Sequence, residues 1–400
     1  MRGAHGDEEN MINTGRTNDR YILWGGALSY YTGKARSYLI KKRIPYREVF
    51  PTHPVFQTKV LPALGFFVVP VLEAPDGSII QDTSDIIEHL EARFPEPCLN
   101  PSTPVQRAVA SLIGAFGSEG LLKPGMHYRW SYLAQQENFL RAEFGRCASA
   151  SRDRAQRDQA AAPYMQAMQA HLPRLGIDSE TIPAIERAYE DLLDILDALF
   201  LMHPYVLGGR PSDADFGLMA PMFAHLARDP YPSGLMKSRA PNVFRWTERM
   251  NLTDICDGEF AEMDACYPPD DAISETVESL LAHIFKDWGP ELLANVEQYN
   301  TWIAANPSLK SGDLVSAKRE RHLHPSLGEI SFTLRGRTIR SAGAPHALWH
   351  FHKALKRARA LTGAAKAQFD TLIQRTGGER VMAITLARPL KRENYVLVVG

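Results

Sequence analysis

His346 and His350 come first among the side chains that could carry chemistry, because histidines four residues apart face one way on a helix and can share a metal ion. His352 follows them, and His322 and His324 lie upstream. No glutamate stands between His346 and His350 to act as a base, so the spacing assigns these rings to surface or core positions and no metal is expected. Cys98, Cys147, Cys256 and Cys266 show no paired CxxC spacing, which argues against a zinc ribbon or a disulfide scaffold. Cys147 follows Arg146, the neighbour of an activated thiol, but reads as a buried or idle cysteine. No glycine-rich phosphate loop is present, and Gly377-Gly378 reads as a turn.

The chain that must position such groups has 400 residues, 44% of them hydrophobic, with 45 Lys and Arg against 46 Asp and Glu. That balance describes a globular chain of two to three domains, large enough to bury a core without staples. No run of about 18 apolar residues occurs, so nothing is expected to span a membrane. Residues 1–20 are polar and glycine-containing with no apolar core, which reads as a flexible tail and suggests a cytoplasmic location. The net charge of -1 is unevenly spread. From Ala317 onward there are 16 Lys and Arg against five acids, a net +11. Such an end either binds an anionic partner or packs on the acidic body of its own chain. The second is favoured, and nucleic acid disfavoured, because no RNA-binding aromatics accompany the charge.

Over residues 21–95 short apolar strands alternate with helical spacing. Tyr21-Ile22-Leu23-Trp24 reads as a strand, Thr32 to Arg43 as a helix and Tyr46 to Phe50 as a second strand. Phe67 to Leu72 and Ser78-Ile79-Ile80 read as strands about an Asp76-Gly77 turn, and a helix begins at Asp82-Thr83-Ser84-Asp85. Strand signals then stop for roughly 150 residues. Helices are read over Val105 to Leu122, Tyr164 to Leu172 and Ile185 to Leu201. Another starts at Ser212, where Ser212 and Asp215 are spaced as a capping box, and one more at Pro241. Residues 270–400 read as a basic α+β unit. It holds a helix from Ala272 to Trp302, a hairpin about Arg335-Gly336-Arg337, a helix from Ala347 to Ala360, and strands at Val381 to Leu386 and Tyr395 to Val399.

A β-α-β, β-β-α unit followed by helices resembles the glutathione S-transferase superfamily over residues 21–263. Leu23 to Arg36 looks like the first strand and catalytic loop. Val69-Pro70-Val71-Leu72 with Gln81 to Leu90 looks like the glutathione-binding signature, and Leu207 to Phe216 like the helix-capping motif of the second domain. The resemblance implies an α/β thioredoxin-like domain over 21–95, an all-α domain over 101–263 and an α+β extension over 270–400 without counterpart in compact relatives. It also implies a cis Val69–Pro70 bond, which would turn the Val69 backbone toward an extended peptide.

The implied reaction is attack of glutathione, as co-substrate, on a small apolar electrophile. Ser29 falls where the catalytic hydroxyl is expected, with Tyr30, Tyr31 and Thr32 as competitors. A hydroxyl there would donate to the sulfur and favour the thiolate. Val69, Pro70, Asp82 and Thr83 would bind glutathione, the helix start at Thr83 receiving a carboxylate. The usual motif has Glu or Gln before Ser, so Asp82-Thr83 departs from it. A basic residue two before the proline is replaced by Val68, and Lys59 or His53 is the substitute. The aromatics between Lys123 and Tyr132, ahead of an insertion reaching Ala162, could wall the electrophile pocket or fill a satellite core. Relatives commonly form homodimers, and the extension leaves that point open. The rival reading is a non-catalytic interaction module whose basic extension holds an anionic partner.

Overall fold

Alternation along the first strand, β1 (Tyr21–Trp24), gives the N-terminal sheet its two cores. Tyr21 and Leu23 pack with Tyr38, Leu39, Ile86 and Leu90, whereas Ile22 and Trp24 pack with Phe56, Val60, Leu64 and Val71. The structure, a computed structural model, describes residues 20–254, 258–318, 320–321 and 324–400. Residues 1–19 of the tail expected over 1–20, together with Cys256 and His322, lie outside the described residues. After β1 come α1 (Thr32–Lys41), β2 (Tyr46–Val49), α2 (Leu61–Leu64), β3 (Val71–Glu73), β4 (Ile79–Gln81) and α3 (Thr83–Arg93). β2 runs parallel to β1, β3 antiparallel to β1 and β4 antiparallel to β3, in the order β2-β1-β3-β4. This is the expected thioredoxin-like unit. The strand read from Phe67 begins only at Val71, because Pro70 has no N–H for the ladder.

The helical unit differs from expectation in two places. The single helix read over Val105 to Leu122 is α4 (Pro104–Ala115), a π-helical turn over Phe116–Gly120, and then α5 (Leu122–Trp130). The supposed insertion and the helix read over Tyr164 to Leu172 together form a helical pair, α6 (Leu133–Ala148) and α7 (Arg154–Gln169), the second starting ten residues before Tyr164. Next come α8 (Ile182–Met202), α9 (Asp213–Pro221), α10 (Pro230–Arg239) and α11 (Pro241–Arg249). The capping box forms as spaced: Asp215 accepts from the Ser212 N–H at 2.9 Å, and from the Val206 N–H and the Trp246 indole besides.

The extension opens with α12 (Glu275–Asp287) and α13 (Gly289–Ala305), two helices where the sequence suggested one. Pro290 sits in the first turn of the second, where a missing N–H is harmless. β5 (Glu329–Leu334) and β6 (Arg337–Ala342) form the expected hairpin, turning at Arg335 and Gly336, both at positive φ. Then come α14 (Pro345–Arg359), α15 (Gly363–Thr376), α16 (Glu379–Met382), β7 (Leu390–Glu393) and β8 (Val396–Val399). The strand read at Val381 to Leu386 is instead the short helix α16 and the chain after it. Val381 and Ile384 are buried there, and a short apolar run does not distinguish strand from helix.

The extension is built into the body. One apolar cluster runs from Tyr21 through α4, α8 and α12 to Val399. Asp271 accepts from the Val105 and Gln106 N–H groups at 2.9 and 2.7 Å, so it caps α4 from the start of the extension. Among the described residues, five basic residues of the extension pair with acids of the body: Arg335 with Asp191, Arg337 with Glu180, Lys353 with Glu88, Arg357 with Asp213 and Arg392 with Asp85. Among the described residues no helix is long and apolar enough to cross a membrane.

Candidate functional site

Strand register collects three of the sequence-flagged segments at one end of the sheet. Trp24 pairs with Val71, and Val71 with Gln81. The loop leaving β1 with Ser29, the Val69–Pro70 step entering β3 and the Asp82-Thr83 step leaving β4 therefore emerge side by side. The Val69–Pro70 peptide is cis.

The four candidate hydroxyls, Ser29, Tyr30 and Tyr31 on the β1–α1 loop and Thr32 at the start of α1, differ in their surroundings. The Tyr30 hydroxyl lies 3.4 Å from the Gly117 carbonyl and that of Tyr31 lies 3.4 Å from the Glu119 carboxylate, both on the π-helical turn. Burial, aided by Glu119, pushes both phenols well above their ordinary pKa. Thr32 is fully buried and its hydroxyl faces Gly25, where a Cβ would lie 2.6 Å away. Ser29 is only partly buried. Its oxygen accepts from the Thr32 N–H at 3.4 Å at the start of α1, and its own proton has no acceptor among the described residues. Arg129 fixes the loop, donating to the Leu28 carbonyl at 3.0 Å while paired with Asp229 at 2.6 Å.

The Asp82 corner is built differently from expectation. Asp82, at φ 78°, caps α3 by accepting from the Ser84 N–H at 2.8 Å. Its other oxygen meets two rings from the extension: His346 Nε2 lies at 3.3 Å and His350 Nε2 at 3.6 Å. Glu119 Oε1 is 3.5 Å from His346 Nδ1 and 3.5 Å from His350 Nε2. The Ser84 hydroxyl contacts His350 Nδ1 at 3.1 Å. All four titratable side chains are about 6–7% exposed, and Thr83 beside them is buried.

Burial raises the Asp82 carboxyl, but His350 and His346 together outweigh it and hold that group well below the usual carboxylate range. Burial likewise opposes a charge on His346, yet Glu119 and Asp82 push its pKa up to about 9. For His350 burial prevails and its pKa falls. The i, i+4 spacing of the two rings was visible in the sequence. Asp82 and Glu119, more than 220 residues away, were not linked to them by any local pattern.

Lys59 is not brought to this end. Its ammonium pairs with Glu73 at 2.6 Å and lies beside Gly77, at the opposite end of the β3–β4 hairpin. His53 rests against the Trp24 ring, 5.8 Å between centroids. The aromatics of 123–132 fill core: Tyr128 and Trp130 are buried, and Tyr132 stacks on Tyr231 at 3.6 Å. Burial pushes the Cys147 thiol up to about 12, the opposite of an activated cysteine. A cleft of about 390 Å³ opens beside α3, α4 and α14, its lining including Lys34, Ser84, Arg107, Asp213, His350 and Arg357.

Residues 23–98 match the family model described as the glutathione S-transferase N-terminal domain. No curated protein matches the chain. Among solved structures, a Tau class glutathione S-transferase from mango, Mangifera indica, is 19% identical, covering 61% of this chain and 91% of its own, at a TM-score of 0.37. A glutathione S-transferase from Methylobacterium radiotolerans, solved with glutathione sulfonate, is 20% identical over 64% of this chain and 98% of its own, at 0.35. A beta-etherase from Sphingobium is 18% identical over 61% and 98%, at 0.38.

With its sheet order and its family match, the N-terminal unit is of the glutathione S-transferase superfamily. The chain joins that domain to a helical unit and to a C-terminal extension that packs against both.

Proposed function

We propose that this chain is a glutathione transferase acting on a small apolar electrophile. The observation that carries the reading is the partly exposed Ser29 hydroxyl at the first turn of α1, its proton uncommitted, on the same sheet end as Val69 and Pro70. A thiol sulfur beside Ser29 that gives up its proton to solvent accepts a hydrogen bond from the hydroxyl and faces the positive end of α1, which favours thiolate over thiol and raises the population of the nucleophile at neutral pH. The sulfur then forms a bond to the electrophilic carbon as the leaving group departs. Val69 pairs with the peptide backbone, and the start of α3 at Asp82 and Thr83 takes the γ-glutamyl end. Both residues are buried beneath α14, so this end docks as α14 draws back. Homodimer formation and a cytoplasmic location are part of the same proposal.

The test is calorimetric titration of glutathione, followed by thiolate absorbance across pH. Saturable binding with a lowered thiol pKa is expected, and Ser29→Ala should cut kcat about tenfold or more while changing affinity little. An unshifted thiol, or no binding, would overturn the reading.

A further inference from the structure

Two imidazoles and a carboxylate converge from distant parts of the chain, at separations long for hydrogen bonds between them. The 3.3 and 3.6 Å separations between Asp82 Oδ2 and the two Nε2 atoms exceed the ordinary N–H···O range of about 2.7–3.2 Å. They suit the edges of a coordination tetrahedron, since bonds of about 2.0–2.1 Å place ligand atoms roughly 3.3–3.4 Å apart. The three ligand atoms all lie within 4.8 Å of one another.

We propose that Asp82, His346 and His350 form a binding site for a divalent first-row transition ion of the zinc type, fastening the extension to the N-terminal domain. Ligand softness sets the class: two imidazole nitrogens with one carboxylate suit such ions and not Mg²⁺ or Ca²⁺, which take oxygen.

The groups behind the ligands support the assignment. A metal-binding histidine commonly engages its second nitrogen with a carboxylate or other polar group. His350 Nδ1 has the Ser84 hydroxyl at 3.1 Å. His346 Nδ1 is buried without a hydrogen-bond partner, and Glu119 Oε1 stands 3.5 Å from it, close enough to accept after a small shift. The Asp82 oxygen not turned to the rings is held by the Ser84 N–H. The Asp82 and Glu119 carboxylates offset the charge of a dication whose two imidazole ligands are neutral, and the buried Lys34 ammonium lies near the same carboxylates. His350 lines the 390 Å³ cleft, which supplies a route in. The site shares Asp82 with the proposed γ-glutamyl end, so a bound ion that holds α14 on Asp82 and a glutathione docked there exclude each other; loss of metal binding in His350→Gln with glutathione binding kept separates the two readings.

The test uses the full chain, stripped with a chelator and titrated with Co²⁺ by visible absorbance and with Zn²⁺ by calorimetry. One equivalent is expected to bind saturably, with the intense visible bands of low-coordinate cobalt. His350→Gln and His346→Ala should weaken binding about 100-fold or more, Ser84→Ala about tenfold, and His352→Ala not at all. Circular dichroism of each variant checks folding, and the milder His350→Gln and Ser84→Ala keep the test valid if His346→Ala does not fold. No stoichiometric binding, or equal affinity in folded His350→Gln, overturns the site.

Discussion

Arg129 shows how one buried side chain governs the geometry of a loop. Its five N–H donors all find acceptors: two bonds to Asp229, and one each to the Leu28 carbonyl, the Ala224 carbonyl and His225 Nε2. His225 Nδ1 lies 2.9 Å from the Gly125 carbonyl, so that nitrogen carries the proton and Nε2 is the acceptor. Burial, reinforced by Arg129, drives the His225 pKa well down and keeps this neutral tautomer. Since both Arg129 and Asp229 are buried, Arg129→Leu leaves a buried carboxylate unpaired. It should cost about 3–5 kcal/mol in equilibrium urea unfolding. A loss under about 1 kcal/mol would mean that Asp229 is protonated or reaches water. The Ser212–Asp215 box was legible because both partners sit within one helical turn. Arg129 was not, since its acid lies 100 residues away and nothing local marks the pair. The same distance hid the Asp82–His346–His350 convergence.

Between elements, α9 meets α4 and the π-helical turn backbone to backbone. A Cβ built at Gly217 would lie 2.3 Å from the Gly114 carbonyl oxygen, and one at Gly117 would lie 2.4 Å from the backbone of Gly217. Backbone, unlike a side chain, cannot turn aside, so Gly217→Ala must push the helices apart. A destabilisation of roughly 1–3 kcal/mol is expected by thermal or denaturant unfolding. Gly234→Ala, whose Cβ would meet nothing within 4 Å, is the control. Equal stability of the two variants would show that α9 shifts freely. The sequence pattern placed α9 and the first sheet because apolar periodicity and turn residues are local signals. It ran α4 on to Leu122 because the π-helical turn follows from what packs against Phe116–Gly120, namely α9 and the extension. It also fused α12 with α13, reading through Pro290 in a segment whose apolar spacing continues on either side.

For the whole molecule, the question is whether residues 270–400 are an appendage or part of the fold. Apolar contact, capping and charge all point to the second. Phe116 of the helical unit packs against Trp288, and Trp288 against Phe351, so the core passes from one unit into the other. Asp271 provides the bidentate cap of α4, and the Arg357 guanidinium reaches Ser111 on that helix as well as Asp213 on α9. Arg392 and Tyr395 reach the Gln81 and Ile79 carbonyls on β4, covering the sheet edge. The observed pairing of Arg335, Lys353, Arg357 and Arg392 with body acids accounts for part of the +11, as packing on the chain's own body requires. Ending the chain after Pro269 removes that cap, these pairs and the cover over Phe116 together. The shortened protein should aggregate or lack a cooperative thermal transition, measured by calorimetry beside the full chain. A soluble fragment that melts cooperatively near the full-length temperature would instead establish the extension as a separate unit, and the ion pairs across the boundary would then be surface contacts of little energetic weight.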